Sequence, residues 1–137
     1  MIKHAMKYRV IYADTDAMGV MYYANYLRVY EAARGDFMRK IGFSFSEMEV
    51  KGILCPAINV NLEYFRFAKF DTEVTIETSV NKIPSSKLEF IQEMYDSNNT
   101  LLNRAIVVLG FVRTNKFKAV RCPEWIAELF INSPKHD

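Results

Sequence analysis

Apolar residues at helical spacing predict one long helix early in the chain. Between residues 26 and 41 they recur every three or four positions, which is the repeat of one face of an α-helix. The recurring residues are Tyr26, Tyr30, Ala33, Phe37 and Ile41. Gly42 follows them and is a typical residue for ending a helix. Further apolar residues widen the face, so we expect other elements to wrap around it.

Two shorter helices are predicted from their start signals. Residues 44–47 (Ser-Phe-Ser-Glu) form a capping-box pattern, in which the first and fourth side chains bond to free N–H groups at a helix start. We expect that helix to end near Gly52. Pro123 stands where a terminal helix would open. The apolar face of the terminal helix would consist of Trp125, Ile126, Leu129 and Phe130.

Much of the remaining chain alternates apolar and polar residues, as half-buried strands do. Residues 96–99 (Asp-Ser-Asn-Asn) are a strong hairpin signal between two such stretches. Residues 105–109 are apolar throughout, which is typical of a central strand that is covered on both faces. The predicted strands are 8–12, 58–64, 73–81, 88–94, 105–109 and a short one at 117–120.

The order of these elements predicts the fold class. One long helix followed by four or five antiparallel strands is an α+β arrangement, with the helix packed on one face of a curled sheet. A chain of 137 residues and 16.0 kDa fits a single domain over residues 1–137. The predicted strands are too apolar on both faces for a monomer, and the sheet edges need protection. We therefore expect a homo-dimer or a homo-tetramer.

Charge and hydropathy exclude several classes of partner. The 18 basic and 16 acidic residues leave a net charge of +2 and are mixed along the chain. A nucleic-acid partner is not expected, because such binding relies on a strong basic field. No apolar run approaches the roughly 20 residues of a transmembrane segment. The first seven residues hold no apolar stretch like that of a signal peptide, so a cytoplasmic protein is expected.

The rare residues narrow the possible chemistry. Cys55 and Cys122 each stand beside a proline, without the spacing of metal ligands or of a disulfide framework, and are expected to be small packed side chains. The histidines, His4 and His136, lie close to the termini, where catalytic geometry is rarely held. Catalysis by His-dependent triads and zinc sites is therefore disfavoured, and no metal is expected. An enzyme of this composition would use a carboxylate.

Two carboxylates lie between the first predicted strand and the long helix. They belong to Asp14 and Asp16, and Gly19 follows three residues after the second. Aspartates in a loop are ordinarily turn residues. Here they precede a helix N-terminus, whose free N–H groups and positive dipole end suit the polarisation of a carbonyl oxygen. A carboxylate beside such a donor has the two parts that acyl transfer needs.

This stretch resembles a known family. Residues 14–27 (DTDAMGVMYYANYL), followed by Glu-Ala-Ala-Arg at 31–34, closely resemble the opening motif of hotdog-fold acyl-CoA thioesterases. The resemblance is to the 4-hydroxybenzoyl-CoA thioesterase family and its YbgC-like branch, and it continues through residues 61–73 to about residue 120. It implies a hotdog fold, in which a curled antiparallel sheet of about five or six strands wraps a long central helix. It also implies thioester hydrolysis at a dimer interface.

The resemblance assigns roles to residues of the motif. Asp16 occupies the position of the family's catalytic carboxylate, acting either as nucleophile or as general base on water. Gly19 lets the backbone turn close to the substrate. The backbone N–H of Tyr23 matches the donor that polarises the thioester carbonyl. Asn25 matches the motif's asparagine, for which capping the helix or positioning the loop is the plainer role.

Two positions of the motif leave alternatives open. Glu31 matches an acidic position that can face the acyl group, but a helix-surface pair with Arg34 at i+3 explains it equally well. YbgC-like proteins usually carry His where this chain has Tyr23, whereas the hydroxybenzoyl-type motif tolerates Tyr there. A backbone donor survives that change and a side-chain histidine role does not, so the sub-branch and the acyl preference stay open.

The residues that would bind CoA are less well marked. The nucleotide end of CoA is anionic and needs a few donors rather than a large basic field. The candidates are Ser85, Ser86 and Lys87 after a turn, with Arg113 and Lys116 near the end of the long strand. The aromatic residues Phe37 and Tyr64 are interpreted as packing residues rather than as part of a ligand cage.

The sequence therefore predicts an acyl-CoA thioesterase that needs no cofactor, since CoA is part of the substrate. The alternative is a non-catalytic hotdog module that binds acyl-CoA or an acyl-carrier protein. A carboxylate at Asp16 favours the enzyme, because a binding module has no need of one beside the thioester. The acyl chain, its carrier and the choice between dimer and tetramer are not determined by these residues.

Overall fold

Three α-helices and two antiparallel sheets make up the part of the protein that the structure, a computed structural model, describes, namely residues 1–136. The helices are α1 (Asn25–Ile41), α2 (Phe45–Val50) and α3 (Glu124–Asn132). The strands are β1 (Ile2–Arg9), β2 (Ile53–Leu54), β3 (Ala57–Tyr64), β4 (Glu73–Val80), β5 (Leu88–Tyr95), β6 (Leu101–Leu109), β7 (Val112–Arg113) and β8 (Lys118–Ala119). No helix among these residues is long and apolar enough to span a membrane.

The helix boundaries follow from the signals in the sequence. Helix α1 has the expected 17 residues and ends at Gly42, whose φ of 120° lies in the left-handed region. The capping box of α2 is formed in both directions between Ser44 and Glu47. Because the carboxylate of Glu47 accepts hydrogen bonds from Ser44, its pKa is lowered. Pro123 precedes α3 directly, as expected.

Five strands form the main sheet in the order β1-β4-β5-β6-β3, and each neighbouring pair is antiparallel. Strands β2, β7 and β8 form a second, small sheet. The α+β class and the hotdog architecture predicted above are confirmed, with α1 lying against one face of the main sheet. In this order β1 and β3 are the edge strands, and each has one side without a neighbouring strand.

The core lies between α1 and the sheet. Phe37 of α1 contacts Phe90 of β5 edge-on, with ring centroids 5.5 Å apart, and stacks on Phe130 of α3 at 6.4 Å. All three rings are fully buried. The interpretation of Phe37 as a packing residue agrees with this contact. Burying an aromatic side chain of this size stabilises the folded state by roughly 2–3 kcal/mol.

The other face of the sheet is more polar than the sequence suggests, and the expectation of a sheet apolar on both faces is wrong. Strand residues alternate between faces, so Asn103, Ala105, Val107 and Leu109 of β6 are buried on the α1 side, while Ile106 and Val108 stay partly exposed. The same face also carries charged cross-strand pairs, such as Lys3 of β1 with Glu77 of β4 at 3.4 Å. An apolar run alone does not reveal which half of it faces solvent.

The first strand also differs from the prediction over residues 8–12. Strand β1 covers Ile2–Arg9 and pairs with β4 along its whole length. The chain leaves the sheet after Arg9, and residues Tyr12–Asp14 form a single 3₁₀ turn. The alternation in β1 is hard to see in the sequence because its outward positions include Ala5 and its inward ones include His4. This early exit leaves room for a long loop before α1.

Candidate active site

The loop between β1 and α1 folds back on itself around Asp16. The Asp16 N–H donates to the carbonyl of Val20 at 3.0 Å, and the Gly19 N–H donates to the carbonyl of Asp16 at 3.1 Å. Gly19 has a φ of +77°, a conformation that side chains disfavour, so glycine is needed for this turn. The Met21 N–H donates to the carbonyl of Ala68 at 2.8 Å, which fixes the loop against the segment after β3.

Asp14 is the organising residue of the loop. Its carboxylate is fully buried and accepts hydrogen bonds from the Tyr8 hydroxyl at 2.7 Å and the Ile11 N–H at 2.9 Å, while its other oxygen pairs with Arg28. Burial, followed by the hydrogen bond to Asp14, raises the pKa of Tyr8. Since both oxygens of Asp14 have protein partners, this carboxylate is not free to react.

Asp16 has the free carboxylate. Its Oδ1 accepts a hydrogen bond from the Met18 N–H at 2.8 Å, and within residues 1–136 its Oδ2 has no hydrogen-bond partner. The side chain is half-buried. Burial raises the pKa of the Tyr26 hydroxyl, and the negative charge of Asp16 adds to the increase. Asp16 is therefore anchored through one oxygen and open through the other.

Free N–H groups lie at the start of α1. The N–H groups of Tyr22 and Asn25 donate to the carbonyls of Asp14 and Tyr22, each at 2.9 Å. Between them, the N–H groups of Tyr23 and Ala24 have no acceptor in the described chain. A helix of 17 residues carries a positive dipole end at this point. These two donors can therefore stabilise a negative oxygen.

Tyr64 contributes to the site in a way the sequence did not indicate. It is a half-exposed residue at the end of β3, and its hydroxyl donates to the carbonyl of Tyr23 at 2.8 Å. Its ring also packs edge-on against Tyr26, with centroids 5.3 Å apart. The interpretation of Tyr64 as a packing residue is therefore incomplete. No local pattern marks this contact, because it joins residues 41 positions apart.

Asn25 holds the loop rather than capping the helix. Its Nδ2 donates to the carbonyl of Asp14 at 2.9 Å, and the N-cap position is occupied by Ala24 without a side-chain cap. This contact matches the loop-positioning role, one of the two structural roles considered for the motif's asparagine. The side chain carbonyl of Asn25 has no donor among residues 1–136.

A groove runs between α1 and the edge strand β3. It consists of two cavities of about 420 and 250 Å³ that share Glu31, Arg34 and Ala57. Glu31 and Arg34 both line it, but no ion pair forms between them, so the alternative of a helix-surface pair is wrong. Glu31 instead presents an exposed carboxylate to the groove.

The residues proposed for CoA lie at the opposite end of the sheet. The Asp16 loop adjoins the end where β1 and β3 finish, whereas the turn before β5 and the segment after β6 are at the other end. An eight-residue strand is roughly 25 Å long. The structure does not bring these residues to Asp16 within one protomer. They are Ser85, Ser86, Lys87, Arg113 and Lys116, all of them exposed.

The two cysteines do not have the properties of nucleophiles. Both are free and half-buried. Burial raises the pKa of the Cys55 thiol to about 12 and that of Cys122 to about 11. Only a thiolate is nucleophilic, and at neutral pH these thiols hold almost none. Within residues 1–136 no cluster of three or more His, Cys, Asp or Glu side chains is placed to hold a metal ion.

Comparison with known proteins gives a consistent result. Residues 10–130 match the family model described as the thioesterase-like superfamily. Acyl-CoA thioester hydrolase YbgC of Escherichia coli O6:H1 is 34% identical over 122 residues, which cover 89% of this chain and 91% of that protein. Acyl-CoA thioesterase YbgC of Haemophilus influenzae is 31% identical over 123 residues, covering 89% and 90% of the two chains.

Solved structures of thioesterases have the same fold as this chain. The crystal structure of DHNA-CoA thioesterase from Staphylococcus aureus superposes with a TM-score of 0.88 at 30% identity, covering 96% of this chain and 90% of that one. A mutant 4-hydroxybenzoyl-CoA thioesterase complexed with 4-hydroxybenzoyl-CoA has a TM-score of 0.84, with coverage of 93% and 97%. At 23% identity the second comparison shows a shared fold only.

Proposed function

The chain belongs to the thioesterase-like superfamily, and we propose that it hydrolyses an acyl-CoA thioester to a free carboxylic acid and CoA at the Asp16 loop. Relatives of 31–34% identity carry the names acyl-CoA thioester hydrolase and acyl-CoA thioesterase. The observation that carries the proposal is the pairing of a free carboxylate with free N–H donors in one loop. These are Asp16 Oδ2 and the N–H groups of Tyr23 and Ala24.

The reaction follows from what these groups can do. The thioester carbonyl oxygen accepts from the Tyr23 N–H, and the helix dipole favours the negative charge that develops on it. Asp16 either takes a proton from the attacking water or attacks the carbonyl carbon itself, in which case water then hydrolyses the anhydride formed. The C–S bond breaks, and the CoA thiolate leaves and is protonated. Both roles of Asp16 remain compatible with this geometry.

We propose that the hydroxyl of Tyr23 takes no part in the chemistry. The ring is largely exposed and lies against Tyr22, with centroids 4.7 Å apart. Tyr23→Phe is therefore expected to keep kcat within a few-fold of wild type, because the backbone donor is unchanged. Steady-state rates of CoA release measure this directly. A loss of about 10²-fold or more would show that the phenol acts, and the oxyanion assignment would be wrong.

We also propose that two copies pair through β3. This edge strand is hydrogen-bonded only to β6, and its residues Ile58, Val60 and Tyr64 are 44–52% exposed. An exposed apolar edge is a ready template for another strand. A second copy of β3, related by a twofold axis, would pair antiparallel and extend the sheet. The assembly is thus a dimer at least, and a tetramer is the other expected form.

Such pairing would complete the site. Because the two β3 strands run in opposite directions, the end of the partner's sheet with the CoA candidates would come close to this protomer's Tyr64 and Tyr23. We propose that the nucleotide end of CoA is held there by the partner's copies of the predicted donors. This accounts for the separation of those donors from Asp16 within a single chain.

The oligomer can be tested by sedimentation. We expect a particle of at least twice the 16.0 kDa chain mass at micromolar concentration. The double variant Ile58→Lys, Val60→Lys should shift it toward a monomer and lower kcat/KM by about tenfold or more, since buried unpaired charges are costly at an interface. Ile131→Lys changes a 57% exposed residue of α3, whose neighbours Leu129 and Asn132 lie beside β1 at the opposite edge of the sheet, and should leave both properties unchanged. A fully active monomer in either protein would contradict the proposal.

We propose a cytoplasmic location and a reaction without a metal or other cofactor. Free thiols such as those of Cys55 and Cys122 are typical of a reducing compartment. The carboxylate and the helix N–H groups supply both functions that the hydrolysis needs, namely activation of the nucleophile and stabilisation of the oxyanion.

A further inference from the structure

A cavity of about 520 Å³ lies at the free edge of β1, outside the Asp16 loop and the groove beside β3. Its volume is in the 300–1,000 Å³ range that is usual for small-molecule sites. Helix α1 runs from the Asp16 loop to this cavity, and its 17 residues span about 25 Å. None of the predicted CoA donors lines the cavity. Strand β3 forms the opposite edge of the sheet, so the proposed pairing through β3 leaves the cavity open.

One wall of the cavity is apolar. Ile2 at the start of β1 is 5% exposed, and Ile41 and Leu129 are partly buried side chains that pack against the core. Pro134, after α3, adds a further apolar surface. Such a wall favours a ligand with a hydrocarbon part, because binding removes that part from water.

The segment that follows α3 borders the cavity and brings a hydrogen-bond donor to it. The His136 N–H donates to the carbonyl of Met1 at 2.6 Å, and the Lys3 N–H donates to Nδ1 of His136 at 3.2 Å. Because Nδ1 accepts, the proton of the neutral ring is on Nε2. Within residues 1–136 this Nε2–H has no acceptor. His136 therefore presents an unused donor at a position that lines the cavity.

The charged side chains around the cavity favour an anion. Lys40 lines it from the last turn of α1, is exposed, and forms no ion pair with any residue of the described chain. The nearby carboxylate of Asp36 is already neutralised, since it pairs with His4 at 2.7 Å and with Arg39 at 3.6 Å. Lys40 is thus a positive charge without a counterion in this part of the chain.

The C-terminal ends of α1 and α3 meet at the cavity, and both are covered. A helix C-terminus carries a partial negative charge, which would oppose an anion. In α1 the Gly42 N–H donates to two carbonyls of the last turn. In α3 the ammonium of Lys135 donates to the carbonyls of Ile131 at 3.2 Å and Ser133 at 2.7 Å. The full charge of Lys135 exceeds the partial charge of that helix end.

We propose that this cavity binds a free fatty acid, with the carboxylate held by Lys40 and Nε2 of His136 and the hydrocarbon tail against the apolar wall. A carboxylate has only acceptors, so it matches these two donors, and hydrogen bonds to its charge are the strong kind. A neutral head group would leave the ammonium of Lys40 without a counterion. The site is separate from the Asp16 loop and does not depend on thioester hydrolysis there.

Isothermal titration calorimetry of the full chain with octanoate at pH 7.5 tests the site. We expect a dissociation constant below about 1 mM, which is within reach of a ligand of this size. Octanamide has the same chain without the charge and should bind about tenfold or more weakly, as expected for losing hydrogen bonds to a charged group. Acetate, which lacks the tail, should show no measurable binding at the same concentrations.

Three variants at exposed positions relate binding to the named donors, and all should fold as the wild type does. Lys40→Glu reverses the charge and should weaken octanoate binding about tenfold or more. His136→Ala removes the second donor and should weaken it about threefold or more. Lys118→Glu is the matched control, because Lys118 is an exposed lysine of β8 that does not line the cavity. Its dissociation constant should stay within about twofold of wild type.

Backbone amide resonances show where octanoate binds. We expect shifts at Ala5, Ile41 and Asn132, which line the cavity, and none at Met18 or Gly19 of the Asp16 loop. Shifts at the Asp16 loop alone would place the acid in the proposed active site and overturn the proposal. Binding weaker than about 1 mM, equal affinity for octanamide, or an equal loss in Lys118→Glu would also overturn it. None of these results bears on thioester hydrolysis, which CoA release measures separately.

Discussion

Asp16→Asn is expected to lower kcat by about 10²–10⁴-fold, which is the usual cost of removing a general base and a lower bound for removing a nucleophile. The substitution is expected to keep the loop folded and to change only the reactive oxygen. Asn retains the Oδ1 that accepts from the Met18 N–H at 2.8 Å, so the turn should persist. It replaces Oδ2, the oxygen without a partner among the described residues, with an amide nitrogen that is neither basic nor nucleophilic. The loss corresponds to about 3–5 kcal/mol of transition-state stabilisation.

Substrate binding should change much less than turnover. The dissociation constant of an acyl-CoA, measured by calorimetry, is expected to move by less than about tenfold, because the loop and the groove remain intact. Asp96→Asn is the matched control, since Asp96 makes a similar turn by accepting from the N–H groups of Asn98 and Thr100 at 2.9 Å. It should leave kcat unchanged. Near-normal turnover in Asp16→Asn would rule out the mechanism.

Asp14→Asn is expected to lower the free energy of unfolding by about 2–3 kcal/mol, or the melting temperature by about 6–10 °C. An amide at this position can accept some of the hydrogen bonds made by Tyr8, Ile11 and Arg28, but it loses the charge that pairs with Arg28. The expected loss in the free energy of unfolding is smaller than for a fully buried ion pair, because the Arg28 side chain is 53% exposed.

Thermal unfolding followed by circular dichroism measures this loss. Asp36→Asn is the comparison, because Asp36 pairs with His4 and Arg39 at a half-exposed position and should contribute less than about 1 kcal/mol. Below its melting temperature, Asp14→Asn should keep far more activity than Asp16→Asn. If Asp14→Asn instead abolished turnover without changing stability, Asp14 and not Asp16 would be the catalytic carboxylate.

The helices could be predicted from the sequence because their signals are local. The spacing of apolar residues from Tyr26 to Ile41, with Gly42 after them, determines α1 to within a residue. The capping box at Ser44 and Glu47 marks α2 in the same way. In both cases the residues that form the element also carry its start or stop signal, so no tertiary contact was needed to interpret them.

The details of the site depend on contacts between distant parts of the chain. Local sequence shows two aspartates but not which of them can react. Only the folded structure shows that the carboxylate of Asp14 is bound by Tyr8 and Arg28. It also shows that Asp16 is held through one oxygen only. The same holds for the hydroxyl of Tyr64, which reaches the start of α1 from the end of β3. No periodicity or short motif reports such contacts.

The groove and the CoA residues show a second limit. The absence of a pair between Glu31 and Arg34 follows from Gln92, which lies 58 residues after Arg34 and binds its guanidinium. Helical spacing alone allows the pair as readily as a role toward the acyl group. The predicted CoA donors lie at the opposite end of the sheet from Asp16, and only strand order reveals that separation. The role proposed for them depends on the proposed pairing of two copies, whose geometry a single sequence does not give.

The central claim is that this chain hydrolyses acyl-CoA thioesters at Asp16, and the release of free CoA thiol tests it most directly. Wild-type protein would be incubated with short, long and aromatic acyl-CoAs, and the thiol would be followed with a chromogenic disulfide reagent. We expect turnover of about 1 s⁻¹ or faster on at least one substrate, and a fall of at least about 10²-fold for Asp16→Asn on the same substrate. Tight binding of acyl-CoA by the wild type with no thiol release would contradict the account and identify a non-catalytic binding module.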